Sequence, residues 1–389
     1  MSTNETLINR YCRAFMNTFG APQLALVRGE GAYVWDADGK RYLDLLGGIA
    51  VNALGHAHPA IVKVATAQVG TLGHVSNFFT SPAQVELGEK IQHVFAQSGY
   101  EEPVKVFLTN SGTEAVEAAL KLTRLHKPGG RVLALTHALH GRTMGALTLT
   151  DKPAIKEQFA PLAGAVEFVE PVAEALDVAF AGGNVAAIFM EPIQGEAGVR
   201  PLPDGLLTHA RELCDEAGAL LVIDEIQTGI GRTGKWLASG GVQADVVTLA
   251  KGLGGGFPIG ACVGAGAVGE LFTPGSHGST FAGNPVASAV SLATLTQVED
   301  LLGHVQSTGS WLVSQLEGAG YSVRGSGLLL GIEVGDSTAV RDVLLADGFI
   351  TNAPNPHTIR LAPPLIVTEG DLAPFIAAMS AHAREFQEV

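Results

Sequence analysis

The chain is poor in charge, in cysteine and in long apolar runs, and each shortage narrows what it can be. Only 16% of its 389 residues are charged, against roughly 25% in an average globular protein. Acidic residues number 38 and basic residues 24, a formal net charge of −14. A surface so balanced repels phosphates, so neither nucleic acid nor an anionic membrane is expected as a partner. The three cysteines, Cys12, Cys214 and Cys262, are odd in number and widely spaced. That pattern builds no disulfide framework and no metal site; reduced thiols in a cytoplasm are expected. No apolar run is long enough to span a bilayer. The first twenty residues lack a signal-peptide apolar block, and Glu5 speaks against a transit peptide.

Apolar residues, at 47%, are plentiful enough for a large core and two domains. There is no internal repeat and no low-complexity linker. Short Val-, Ile- and Leu-rich runs at 104–109, 131–136, 185–190, 219–224, 245–250 and 261–265 read as strands buried on both faces. Stretches 113–126 and 204–217 carry helical periodicity. Strand-helix alternation of this kind dictates an α/β fold with a mostly parallel sheet flanked by helices. The flanks read differently. Residues 31–35 and 41–44 form a hairpin around Asp38-Gly39. Beyond residue 301 come strands near 322–324, 328–334 and 358–361, a helix near 338–346 and a closing helix from Glu369. The expected division is therefore a large domain at 55–300, with 1–54 joining a small α+β domain at 301–389.

Two side chains stand out. The apolar run 219–224 ends in a carboxylate, Asp224. The run 245–250 delivers Lys251 into Gly252-Leu-Gly-Gly-Gly-Phe-Pro258. An acid and an amine, each at the tip of an apolar strand, belong at one edge of one sheet, where open α/β sheets bind ligands. Alone, Asp224 reads equally well as a turn cap, and Lys251 as a solvated loop lysine. Together they are what pyridoxal phosphate needs: a lysine to hold the cofactor covalently and an acid to keep its ring nitrogen protonated. A third element is Thr109-Asn-Ser-Gly-Thr113, which links a strand to a helix. Backbone N–H groups of Ser111, Gly112 and Thr113 make an anion cup there, and a hydroxyl cap of the helix is compatible with it.

Three ordered motifs carry a resemblance. They are Ile223-Asp-Glu-Ile-Gln-Thr-Gly229, Leu249-Ala-Lys-Gly-Leu-Gly-Gly-Gly256 and His277-Gly-Ser-Thr-Phe-Ala-Gly-Asn-Pro285. With these, the chain resembles class III pyridoxal-phosphate aminotransferases of fold type I, most of all their acetylornithine/ornithine branch. The resemblance runs from Gly29 to Pro364. It implies pyridoxal 5'-phosphate as cofactor and a cytoplasmic homodimer with shared active sites. An amine donor and 2-oxoglutarate would be the substrates, in arginine biosynthesis. It implies that Gln227 donates to the ring's phenolic oxygen and that Thr280 reaches the phosphate of the neighbouring subunit. Leu139 stands where the family usually has a stacked aromatic, with His140 beside it at the cofactor; leucine covers a ring but offers no π-face. Arg142 matches a substrate-carboxylate clamp. Glu196 and Arg360 match a removable ion pair, in which the acid neutralises the arginine for one substrate and swings aside for a dicarboxylate. Asn77 and Ser279 match positions at the pocket mouth, with Phe78 or Phe79 packing there. Free Lys251 would act as general base.

Within that resemblance succinylornithine, ornithine and 4-aminobutyrate aminotransferases remain alternatives, and outside it an aminomutase or racemase. Gly229-Ile-Gly-Arg-Thr-Gly234 mimics a nucleotide-binding loop, but Trp236 follows Lys235 where a phosphate loop needs a hydroxyl. It reads better as a glycine-rich loop beside the cofactor than as the mark of a nucleotide-binding protein. His56, His58 and His137 have no third ligand at metal spacing, so turn and packing roles are expected for them.

Overall fold

The computed structural model describes residues 2–162 and 164–388. Its centre is a seven-stranded sheet in the order Val104–Thr109, Gly260–Ala265, Val246–Leu249, Leu220–Asp224, Val185–Met190, Arg131–Leu135, Val166–Val169. Gly260–Ala265 runs antiparallel to both its neighbours. The segment joining it to Val246–Leu249 is too short for a helical crossover, so the chain has to turn straight back. The remaining pairings inside the sheet are parallel.

Alternation along each strand feeds two cores. In Leu220–Asp224, Leu220 and Val222 face the layer that holds Val116, Ala119 and Leu122 of the helix Gly112–His126. Leu221 and Ile223 face the other layer, with Leu87 and Ile91 of the helix Pro82–Gln97 and Val290 and Val298 of the helix Pro285–Gly318. Period-two side chains sandwiched between helices explain why these strands read as continuous apolar runs. The interior strand Val185–Met190 is buried at every position.

A separate core gathers Leu330, Ile359 and Phe375 from the C-terminal part with Leu43 and Leu45 from the N-terminal hairpin. The strand Phe349–Ile350 pairs with Arg41–Asp44. A four-stranded antiparallel sheet, Val323–Ser326, Leu329–Glu333, Thr358–Leu361 and Asn352–Asn355, sits beside it. The 34-residue helix Pro285–Gly318 runs unbroken through residue 300. It packs Val290 and Val298 into the first core and Leu312 and Leu316 into this one. No helix is long and apolar enough to cross a membrane among the described residues.

Candidate active site

Five segments leave the carboxyl edge of the large sheet and meet around one cavity of about 430 Å³. Residues 110–113 follow the strand Val104–Thr109, residues 137–142 follow Arg131–Leu135, and Glu191 follows Val185–Met190. Asp224 ends its own strand, and Lys251 comes just after Val246–Leu249. Ser111, Gly112, Thr113, Leu139, His140, Glu196, Asp224, Gln227 and Lys251, all singled out from sequence, line this cavity together. Its size suits a small-molecule cofactor with substrate.

The acid is held firmly. Asp224 is 4% exposed. It accepts a hydrogen bond of 3.0 Å from the backbone N–H of Ile226 and is paired at 2.7 Å with Nδ1 of His140. Burial alone would depress the His140 pKa, but the hydrogen bond and charge of Asp224, with Glu191 adding, outweigh it and raise it. The pair therefore fixes the acid in place on the cavity wall. Nε2 of His140 is buried without a partner among the described residues.

The amine is poised for chemistry. Lys251 opens a 3-10 turn with φ +44, a left-handed backbone that a lysine rarely adopts. Burial pushes its ammonium down to about 8, helped by Arg360 and opposed by Glu196, Asp224 and Glu191. A lowered pKa supplies free amine near neutral pH. The side chain makes no ion pair among the described residues.

The anion cup is present as well. Ser111 caps the helix Gly112–His126 by accepting from the N–H of Glu114. The N–H groups of Gly112 and Thr113 have no partner among the described residues, as expected of a helix start. A Cβ on Gly112 would come within 2.8 Å of Ile226, so only glycine lets this turn close over the cavity.

Arg360, 1% exposed, is not on the cavity wall itself but lies behind two residues that are, Glu196 and Gln227. Nη1 donates to Glu196 at 2.5 Å and to Gln227 at 3.1 Å, and Nη2 donates to Asn352 at 2.7 Å. Burial by itself would raise the Glu196 pKa, yet the charge and hydrogen bond of Arg360 bring it down to about 2. Gln227 thus faces Arg360 through its carbonyl oxygen; Gly195, where any Cβ would collide with Gln227, leaves room for that contact.

The other expected residues sit farther out. Arg142 is exposed and makes no side-chain hydrogen bond or ion pair among the described residues. Thr280 is exposed. Ser279 accepts from Asn110 at 2.8 Å, and Asn77 donates to the carbonyls of Ser279 and Ala282 at 3.2 and 3.1 Å. Phe78 and Phe79 are 92% and 70% exposed, so within this chain they pack no core. The loop at Gly229–Gly234 was expected beside the cavity and is not on its wall. A Cβ on Gly231 or Gly234 would strike Val298 or Gln306 of the long helix, and Arg232 donates to the carbonyls of Leu328 and Pro363. That loop ties the long helix to the segments at Leu328 and Pro363. His56 pairs with Asp44 at 2.8 Å and His58 caps the helix Pro59–Thr71.

Sequence reasoning missed Glu191. It is 6% exposed, accepts from the N–H of Leu139 at 3.0 Å, and lines the cavity. Burial raises its pKa to about 7. Its signal is the one that marks Asp224, a carboxylate directly after a fully apolar strand.

A buried acid, an activated amine and an open anion cup at one sheet edge are the parts of an aminotransferase site, and the comparisons agree. The family model for aminotransferase class-III matches residues 16–382. The acetylornithine aminotransferase of Mycolicibacterium smegmatis is 48% identical over 386 residues, covering 97% of each chain. Among solved structures, the ornithine aminotransferase of Toxoplasma gondii superposes with a TM-score of 0.91 at 31% identity, covering 99% of this chain and 97% of that one. The acetylornithine aminotransferase of Elizabethkingia anophelis gives 0.87 at 32% identity, covering 99% and 100%. With a family match over nearly its whole length, the chain belongs to the class-III aminotransferases, enzymes that use pyridoxal 5'-phosphate.

Proposed function

We propose that this chain is an acetylornithine aminotransferase. It moves the terminal amine of N2-acetylornithine to 2-oxoglutarate, giving N-acetylglutamate 5-semialdehyde and glutamate, a step of arginine biosynthesis. The observation that carries the reading is full-length similarity, at 45–48% identity, to relatives of that name.

The cavity residues fit the cofactor. The free N–H groups of Gly112 and Thr113, with Ser111, would hold its phosphate at the helix start. Asp224, fixed by His140, would hold the ring nitrogen, and Lys251 the aldehyde carbon. Leu139 and His140 line the wall against which a ring would lie. When bound, pyridoxal 5'-phosphate supplies the carbonyl that takes up the amine and the ring that accepts the electrons released with the proton. Lys251, once free, takes the proton from the carbon bearing the substrate nitrogen and returns it on the cofactor side. Its lowered pKa suits a group that must gain and lose a proton near neutrality.

Glu196 and Arg360 handle two substrates of different charge. Paired, they are neutral as a unit and leave room for a chain ending in an acylated amine. With Glu196 turned away, Arg360 offers a planar fork to a carboxylate of 2-oxoglutarate. Arg142, exposed and unpaired among the described residues, is free to take a second carboxylate. Asn77 and Ser279 are assigned to the mouth of the site, and Thr280 to the partner subunit's phosphate in a homodimer. The cysteine count supports a cytoplasmic location, and we place residues 1–54 with the small domain at 301–389.

The test is a comparison of single-turnover rates with N2-acetylornithine, N2-succinylornithine, ornithine and 4-aminobutyrate. The acetylated donor should have the highest kcat/KM. A higher value for any of the others would replace the substrate named here.

A further inference from the structure

Glu196 belongs to two cavities at once. It lines the catalytic cavity and also a neighbouring one of about 620 Å³. The second cavity carries Lys152, Arg200 and Arg324 on its wall. Oε1 of Glu196 is held by Arg360 at 2.5 Å, while Oε2 lies 3.8 Å from Nζ of Lys152. Lys152 also donates to the backbone carbonyl of Glu196 at 3.1 Å.

The ion pair has one fixed member and one free one. Arg360 is fully buried and tied to Gln227 and Asn352 as well as to Glu196. Glu196 retains 22% exposure of its side chain. It sits in the turn between the short strands Ile193–Gln194 and Arg200–Pro201. The backbone of that turn is pinned, since Asn355 donates to the carbonyl of Ala197 and Arg324 to that of Gly198. Any exchange at this pair must therefore be a side-chain rotation of Glu196, away from Arg360 and toward the second cavity. A carboxylate leaving an arginine needs another cation, because an unpaired buried charge is costly.

We infer that Lys152 is the receiving cation of this exchange: a positioning residue that holds Glu196 when a dicarboxylate occupies Arg360. The inference rests on the reading of Glu196 and Arg360 given above. It assigns to Lys152 an effect on one half-reaction and not on the other. Without its charge, Glu196 stays closer to Arg360 and competes with the incoming carboxylate. Burial lowers the Lys152 pKa, but Glu196 counters this, so the two groups already sense each other.

The experiment uses the holoenzyme and its Lys152→Met, Lys152→Arg and Glu196→Gln variants, with both half-reactions followed by the cofactor spectrum. Lys152→Met should lower kcat/KM for 2-oxoglutarate about tenfold more than kcat/KM for the amine donor, roughly 1.4 kcal/mol, mostly through KM. Lys152→Arg should restore the ratio, and in a Glu196→Gln background Lys152→Met should no longer shift it. Equal losses in both half-reactions, or an unchanged ratio, would overturn the role of Lys152. If Glu196→Gln also leaves the ratio unchanged, the exchange itself is wrong and the inference falls with it. If Glu196→Gln shifts the ratio and Lys152→Met does not, only the receiving cation is wrong.

Discussion

Lys251 should behave as an amine with a pKa near 8 in the cofactor-free protein, because burial in the cavity disfavours its charge. At pH 7 a group of that pKa is about one-tenth unprotonated, about 300-fold more than an ordinary lysine. The assay is trace acylation of cofactor-free protein across pH, with free lysine as internal reference and the Lys251 peptide quantified by mass spectrometry. Its reactivity should rise about tenfold per pH unit up to about pH 8 and then level off. The same shift has a cost in stability. The unfolded chain binds the proton more tightly than the folded one, so folding is disfavoured wherever Lys251 is charged in the unfolded state. The penalty is full below pH 8 and fades as pH rises from 8 toward the ordinary value of 10.5. Cofactor-free Lys251→Met should then be more stable than the parent at pH 7 by about 3 kcal/mol, a gap that narrows above about pH 8 and is gone by the ordinary value of 10.5. A Lys251 reactivity still climbing beyond about pH 10, with no stability gain in the variant, would refute the reasoning.

Other expectations follow from the same geometry. If Arg360 is the fork that takes 2-oxoglutarate, Arg360→Met should raise its KM about 10–100-fold, read in the second half-reaction alone. Gly112→Ala puts a methyl group 2.8 Å from Ile226; it should weaken cofactor binding about tenfold, one charge-assisted hydrogen bond's worth, by titration of the cofactor-free protein, with the circular dichroism of the fold unchanged. If Thr280 completes the partner's site, inactive Lys251→Ala and weakened Thr280→Val chains should regain activity when mixed and refolded together. No recovery would mean that each site is built from one chain.

Much of this was legible because chemistry here sits at strand ends. The strands Val104–Thr109, Val185–Met190 and Thr358–Leu361 have the limits their apolar runs set. Asp224 and Lys251 were conspicuous as charged residues closing such runs. Less legible was whatever depends on the third dimension. The edge strand Val166–Val169 is short and carries the exposed Glu167, so it has no continuous apolar run to mark it. The direction of Gly260–Ala265 is fixed by the length of its connection, not by its residues. Helix Asn4–Ala14 aligns Leu7, Ile8 and Tyr11 on one face yet buries none of its residues, so it contributes to no core that the sequence pattern could point to. Pro285–Gly318 hid a link between two cores because its two halves face different partners. Lys152 stands in no motif and is remote in sequence from the turn it serves; its interest comes only from its contact with the backbone and carboxylate of Glu196.

The most direct measurement is chemical. The purified protein should absorb in the visible range, lose that band on borohydride treatment, and yield after proteolysis a single peptide bearing the reduced cofactor on Lys251. Cofactor found on any other lysine, or on none, would contradict the central claim.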